Sequence, residues 1–242
     1  RQTALTSREY TLRTHGVCAE AEPQIYLDAA AQCILSLPAE ARARVCAVAL
    51  TTQGETLICA DRHGKALRPA IVWLDSRADT QAARLAAVLD RQRFYERTGL
   101  PELSGALPLA KLLWLREQEP EVWTQTDKFL LLEDYLMLWL TGRAVTEKSL
   151  LTSTGYFDLQ SDDYWAEALA LAELDRTRLP QALACGSIVG PLLPEVAAAL
   201  GLPSSACVVT GAMDQTAAAL AAGCTRPGTL CETTGTAMVA AA

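Results

Sequence analysis

The chain has 242 residues, 50% of them apolar and 20% charged, with a formal net charge of −7. This composition can build a sizeable core in one large domain or two small ones, and it excludes a disordered chain. The acidic balance argues against nucleic acid or an anionic membrane as partner, since both call for basic patches, and no apolar stretch reaches the roughly 18–20 residues of a membrane span.

In chain order, residues 1–14 read as a strand and its approach. Pro23 opens a helix with Ile25, Ala29, Cys33 and Leu37 on helical spacing. Val45 to Leu50 reads as a buried parallel strand. Thr56 to Ala60 reads as a second strand, with a tight turn over Asp61-Arg62-His63-Gly64-Lys65. Ala70 to Trp73 is a third, after which Asp75 or Ser76 can cap a helix through about Leu89. Residues 93–180 read as mainly helical, with amphipathic spacing over Leu107 to Glu117 and Glu133 to Leu140 and a further helix starting at Ser161 to Trp165. Pro194 to Leu200, closed by Gly201, is a short capped helix. Ala206 to Thr210 is again a buried strand and Asp214 to Ala222 a helix of small residues. Leu230 to Thr234 and Ala237 to Ala241 finish as strands. Strands flanking a helical middle, with no polar linker, give one α/β domain with a helical insertion. The antiparallel hairpin around Gly64 makes its sheet mixed.

None of the eight cysteines falls in a Cys-x-x-Cys pair, and several sit in apolar runs. They read as buried free thiols of a reducing, cytoplasmic compartment, not as a disulfide framework. With His15 and His63 the only histidines, a zinc site is disfavoured. The N-terminus lacks a Met and shows no secretion signal.

The most informative stretch is Gly211-Ala212-Met213-Asp214-Gln215-Thr216, followed by small residues and then Thr233-Thr234-Gly235-Thr236. A carboxylate at the mouth of a helix can take a proton from an alcohol, and a Gly/Thr turn can hold phosphate oxygens. Together they suggest phosphoryl transfer from a nucleotide to a hydroxyl. Taken alone, Asp214 reads first as a helix N-cap and Thr234-Gly235-Thr236 as an ordinary turn.

Three segments together resemble the FGGY carbohydrate kinases. The first is Thr52-Gln53-Gly54-Glu55-Thr56 with Leu67-Arg68-Pro69 through Trp73-Leu74-Asp75-Ser76-Arg77. The second is Leu131-Leu132-Glu133-Asp134-Tyr135 with Leu140-Thr141-Gly142 and Thr152-Ser153-Thr154-Gly155. The third runs from Gly190-Pro191-Leu192 through Gly211–Gln215 to Thr234-Gly235-Thr236. The resemblance implies an actin-like, ribonuclease-H-like fold of two domains around a cleft. Residues 1–242 correspond to the first, substrate-binding domain, starting after the family's first hairpin with its Asp-x-Gly-Thr phosphate loop. They stop before the second domain, which holds most of the nucleotide site. The chain by itself is therefore expected to be inactive.

By resemblance, Asp214 is the catalytic base and also touches substrate, and Thr234, Gly235 and Thr236 form the second phosphate loop for ATP. Gln53, Glu55, Trp73 and Asp75 fall where the family contacts its polyol. Read as residues alone, Glu55 is equally a solvent-facing strand carboxylate and Trp73 equally core packing. Arg77 is expected to pair with Asp75. Asp134 and Glu133 are expected to cap a helix, and Arg68 to be a solvated turn residue. Mg²⁺ is expected with ATP, with no metal ligand assigned in this chain. Glycerol kinases carry an Arg where Gly54 stands, and xylulokinases commonly carry Met-His in place of Gly54-Glu55.

The implied reaction is ATP-dependent phosphorylation of a small sugar or polyol, foremost a pentulose such as xylulose, with glycerol next. A non-catalytic sugar-binding domain is the alternative. An actin-like ATPase of another class is disfavoured by Trp73-x-Asp75-x-Arg77 together with Gln53. Family members are often dimers or tetramers, so a homodimer is the corresponding assembly.

Overall fold

The computed structural model describes residue 2, residues 4–234 and residues 238–241, with side chains described up to residue 232. The largest sheet has five strands in the order Arg13–His15, Cys18–Ala21, Ala70–Ile71, Leu57–Ala60, Lys128–Leu131. Every pairing in it is antiparallel. The two-residue period of a strand explains why Leu57–Ala60 is buried at all four positions. Leu57 and Cys59 face a core shared with the helices Asp79–Val88 and Pro108–Gln118. Ile58 and Ala60 face the opposite core, beneath the helix Pro23–Leu35.

A second sheet orders Ile188–Pro191, Cys207–Met213 and Ala47–Thr52. Here the pairing is mixed: Cys207–Met213 runs antiparallel to Ile188–Pro191 and parallel to Ala47–Thr52. The mixed sheet is therefore this one, not the sheet of the Gly64 hairpin. Ala47–Thr52 is an edge strand among the described residues, and it alternates between exposed and half-buried up to Thr51, with Thr52 buried, instead of forming the buried run expected. A third core beneath this sheet joins Met137, Leu140, Val189, Leu192 and Val208 to the helix Pro194–Leu200.

Several local rules operate as written. Pro23 and Pro194 stand in the first turns of their helices. Gly142 and Gly201 close helices with φ of 70° and 63°. In the turn at Asp61, the Asp61 carboxylate accepts from the amides of His63 and Lys65.

Other elements differ from expectation. The first strand begins only at Arg13; residues 4–12 pair with no strand among the described residues. The middle of the chain is not purely helical: Lys128–Leu131 leaves it to close the five-stranded sheet beside Leu57–Ala60. Asp163–Tyr164 pairs with Phe157–Asp158 as a hairpin, so the helix expected from Ser161 starts at Ala166. The helix Pro108–Gln118 is buried almost all round and not amphipathic. Among the described residues only Cys59 of the cysteines is buried; Cys46 and Cys185 are exposed. No described helix is long and apolar enough to cross a membrane.

Candidate active site

The parallel pairing of Cys207–Met213 with Ala47–Thr52 sets Met213 opposite Thr52. The next residue on each strand, Asp214 and Gln53, therefore emerges at the same carboxyl edge of the sheet, where ligands of open α/β sheets bind. The register slips between Val209 and Ala212, one extra residue standing on the Cys207–Met213 strand. Gly211 sits in that bulge because a Cβ there would lie 1.4 Å from the Leu50 carbonyl oxygen. Buried Glu133 and half-buried Ser149 take up the amides around the bulge. Gly211 N–H donates to Glu133 Oε1 at 3.2 Å, and Met213 N–H donates to Ser149 Oγ at 2.9 Å. Ser149 Oγ in turn donates to Glu147 Oε1 at 2.6 Å.

A cleft of about 540 Å³ opens at this edge, lined by Gln53, Gly54, Glu55, Trp73, Ser104, Ala106, Leu107, Met213, Asp214 and Gln215. Four of the residues expected to contact substrate thus come together. Asp214 is the first residue of the helix Asp214–Ala221, and Met213 holds the N-cap position without a side-chain cap. The Asp214 carboxylate is exposed; one oxygen accepts from the Gln215 amide at 2.8 Å. Gln53 Nε2 donates to Thr56 Oγ1 at 2.8 Å. Glu55 is half-buried with φ at 53°, a left-handed conformation uncommon outside glycine. Burial raises its carboxyl, and the Asp214 carboxylate adds in the same direction, against the pull of the Ser153 hydroxyl and the Lys111 ammonium. Gly54 approaches closely enough that a Cβ would lie 2.7 Å from Ser153 Oγ and 3.2 Å from the Met213 sulfur. An arginine at this position would have to displace both.

Asp75 is not brought to the cleft. It is fully buried, with Oδ2 accepting from the Ala19 amide at 2.6 Å and both oxygens held by the Arg77 guanidinium at 2.7–3.0 Å. Burial alone would raise this carboxyl, but Arg77 and the Ala19 amide hold it below the usual range. Asp75 caps no helix either: the helix Asp79–Val88 has Ala78 at its N-cap. Arg77 also reaches Glu20 at 2.8 Å and lies over the Trp114 ring. Arg68 is no solvated turn residue. Its side chain is 8% exposed and bridges Glu20 at 2.5 Å and Glu119 at 2.8 Å, because the turn folds onto the helical layer.

Asp134 accepts from the Leu131 amide at 2.7 Å, the capping role expected of it. Glu133 instead faces the bulge. Burial pushes its carboxyl up to about 8 and that of Asp134 up to about 7. Gly235, Thr236 and the side chain of Thr234 lie outside the described residues. Among the described residues, no group of three or more His, Cys, Asp or Glu side chains is placed to hold a metal ion.

Sequence reasoning missed Ser104, Ala106 and Leu107, which also line the cleft; Pro108, opening the next helix, was the signal that a turn ends there. It also missed Lys111, which is fully buried and donates to the backbone carbonyls of Glu55 and Val72 at 2.9 and 3.0 Å. Burial pushes this ammonium down to about 7, although Asp75 and Glu55 pull it upward. A lone lysine inside Leu107-Pro108-Leu109-Ala110-Lys111-Leu112-Leu113 is the signal that could have revealed it.

The N-terminal domain of the FGGY family of carbohydrate kinases matches residues 4–221. The chain belongs to this family. It is 35% identical over 176 residues to the xylulose kinase of Lactococcus lactis subsp. lactis, covering 73% of this chain and 35% of that protein. It is 31% identical over 223 residues to the xylulose kinase of Escherichia coli, covering 91% of this chain and 45% of that protein. The crystal structure of xylulose kinase from Rhodospirillum rubrum superposes with a TM-score of 0.90 at 32% identity, covering 96% of this chain and 48% of that one. The chain thus has the actin-like, ribonuclease-H-like fold of these kinases, and it spans less than half the length of these relatives.

Proposed function

We propose that this domain binds a small sugar or polyol and presents one of its hydroxyls for ATP-dependent phosphorylation, with a pentulose such as xylulose as substrate. The observation that carries the reading is the convergence of Gln53, Glu55, Trp73 and Asp214 on one cleft at the carboxyl edge of the paired strands. The likeness to proteins named xylulose kinase supports the choice of pentulose.

In this reading Gln53 and Glu55 take hydroxyls of the substrate, and Trp73 offers an aromatic face to its C–H side. Asp214 accepts the hydroxyl proton as that oxygen forms its bond to the γ-phosphorus, while the bond to the β–γ bridging oxygen breaks and ADP leaves. Such loose transition states need little push from a base, so Asp214 matters as much for orienting the hydroxyl as for deprotonating it. Its exposed position suits a proton acceptor reached by substrate from solvent. ATP enters as co-substrate, against Thr234, Gly235 and Thr236 and a second surface closing over the cleft. Mg²⁺ comes with the nucleotide. Asp75 acts behind the pocket, not in it, and a cytoplasmic setting follows from the supply of ATP.

The test is ADP release by the full-length protein given ATP, Mg²⁺ and, in turn, xylulose, ribulose, fuculose, erythritol and glycerol. Sugar-dependent release, largest with xylulose, is expected. Release independent of any sugar would make the protein a general ATPase, and a folded protein silent across the panel would overturn the kinase reading in favour of sugar binding alone.

A further inference from the structure

Three of the proposed sugar contacts sit on two separate segments, Gln53–Glu55 and Trp73, and two buried polar side chains join these segments. Lys111, on the helix Pro108–Gln118, donates to the Glu55 carbonyl at 2.9 Å and to the Val72 carbonyl at 3.0 Å. Thr56 Oγ1 accepts from Gln53 Nε2 at 2.8 Å and from the Trp73 amide at 3.2 Å. Both residues are fully buried. A buried amine needs acceptors for its N–H groups, and one that donates to two backbone carbonyls fixes both acceptors in turn. The backbone it fixes is unusual, since Glu55 holds a left-handed φ that a non-glycine residue keeps only when its surroundings impose it.

We propose that Lys111 and Thr56 are positioning residues that staple Gln53, Glu55 and Trp73 into one polyol-binding geometry, and so set how well the sugar is held and which sugar is preferred. This rests on the proposed sugar pocket. Neither side chain needs to touch substrate. Lys111 holds the two carbonyls, and Thr56 holds the Gln53 amide and the Trp73 N–H. Losing either lets the segments drift apart, and a drift of an ångström is enough to spoil a hydroxyl-recognition site.

The experiment compares Lys111→Met, Thr56→Val and Thr56→Ser in the full-length protein, by amide hydrogen exchange without sugar and by steady-state kinetics with xylulose and ATP. Methionine keeps the length of lysine without its donors, and valine keeps the shape of threonine without its acceptor. In Lys111→Met and Thr56→Val, exchange in residues 53–56 and 72–74 is expected to accelerate about tenfold or more, with the sugar KM rising by a similar factor, for the loss of buried hydrogen bonds. The KM for ATP and exchange in the strand Lys128–Leu131 are expected to stay near wild type. Thr56→Ser keeps the hydroxyl and is expected to restore both. Unchanged exchange in the two segments would overturn the staple, whatever the protein phosphorylates. Faster exchange with an unchanged sugar KM would overturn its role in sugar binding. Should the wild type turn over no sugar at all, the kinase reading fails, the role in sugar binding falls with it, and exchange still decides whether the staple exists. If Lys111→Met fails to fold, the Val/Ser pair at Thr56 answers the same question.

Discussion

The turn after the strand Ala70–Ile71 and the helix start directly after the strand Cys207–Met213 each carry an aspartate, Asp75 and Asp214. At the first, Asp75 is fully buried and both its oxygens are engaged by the Ala19 amide and Arg77. At the second, Asp214 is exposed at the rim of the cleft and its nearest described partner is the next amide in the chain. Both lie in segments that resemble the family's motifs, yet one carboxylate is spent on holding a corner together and the other stays exposed at the cleft. Motif membership says that a residue matters; whether its charge is already satisfied says how.

The sharpest way to break this contrast is Asp214→Asn. In the full-length protein it should lower kcat by about 10²–10⁴-fold, the span general-base groups supply, with the sugar KM and the melting temperature near wild type. A kcat within a few fold would remove Asp214 from the reaction. Asp75→Ala should act on the other axis. Its removal takes away the two-oxygen partner of the Arg77 guanidinium, 7% exposed, leaving it Glu20 alone, and leaves the buried Ala19 amide without its acceptor, so stability should fall by about 3–5 kcal/mol as read from denaturant midpoints. Full stability with a raised sugar KM would reverse the roles assigned to the two aspartates. Smaller is Glu55→Ala, which should raise the sugar KM by the equivalent of about 1–3 kcal/mol and leave the ATP KM unchanged; equal sugar affinity would take Glu55 out of the pocket.

The smallest effect concerns the support beneath Asp214. With its carboxyl pushed up to about 8 by burial, Glu133 keeps a proton in the folded chain that the unfolded chain releases once pH passes its ordinary 4.5. Its contribution to stability is therefore complete below about pH 4.5 and is lost as pH rises through about 8. Glu133→Gln retains an acceptor for the Gly211 amide and does not ionise, so it should flatten the decline in melting temperature between pH 5 and 8. At pH 8 it should melt about 2–4 °C above wild type. An unaltered pH profile would show that Glu133 is already ionised in the folded protein.

Much of the architecture was readable along the chain because its signals are local. Pro23 and Pro194 start helices, Gly142 and Gly201 end them, and Asp61-Arg62-His63-Gly64-Lys65 makes its turn through the short side chain of Asp61. The strands Cys207–Met213 and Ala47–Thr52 were legible as apolar runs. That they lie side by side in parallel, with Gln53 next to Asp214, is a pairing across some 160 positions that no local pattern encodes. The departures share this cause. Lys128–Leu131 looks like part of a helical stretch until the edge of Leu57–Ala60 offers it hydrogen bonds. Arg68 looks like a surface turn residue until Glu20 and Glu119 enclose it.

For the site, residue chemistry alone read Asp214 first as a helix N-cap; the resemblance of the motifs to the FGGY carbohydrate kinases singled it out as a proton acceptor and marked Gln53, Glu55 and Trp73. Those properties reside in side-chain type and short spacing, which the chain carries before it folds. Which of these groups share a cleft, and which carboxylate remains open, was decided only in three dimensions. Burial, and the partners it supplies, determines whether a charge is held in a network, as for Asp75, or left exposed at the cleft, as for Asp214. Lys111 shows the same dependence: it acquires its place behind the pocket only when its helix is packed against the two segments it joins.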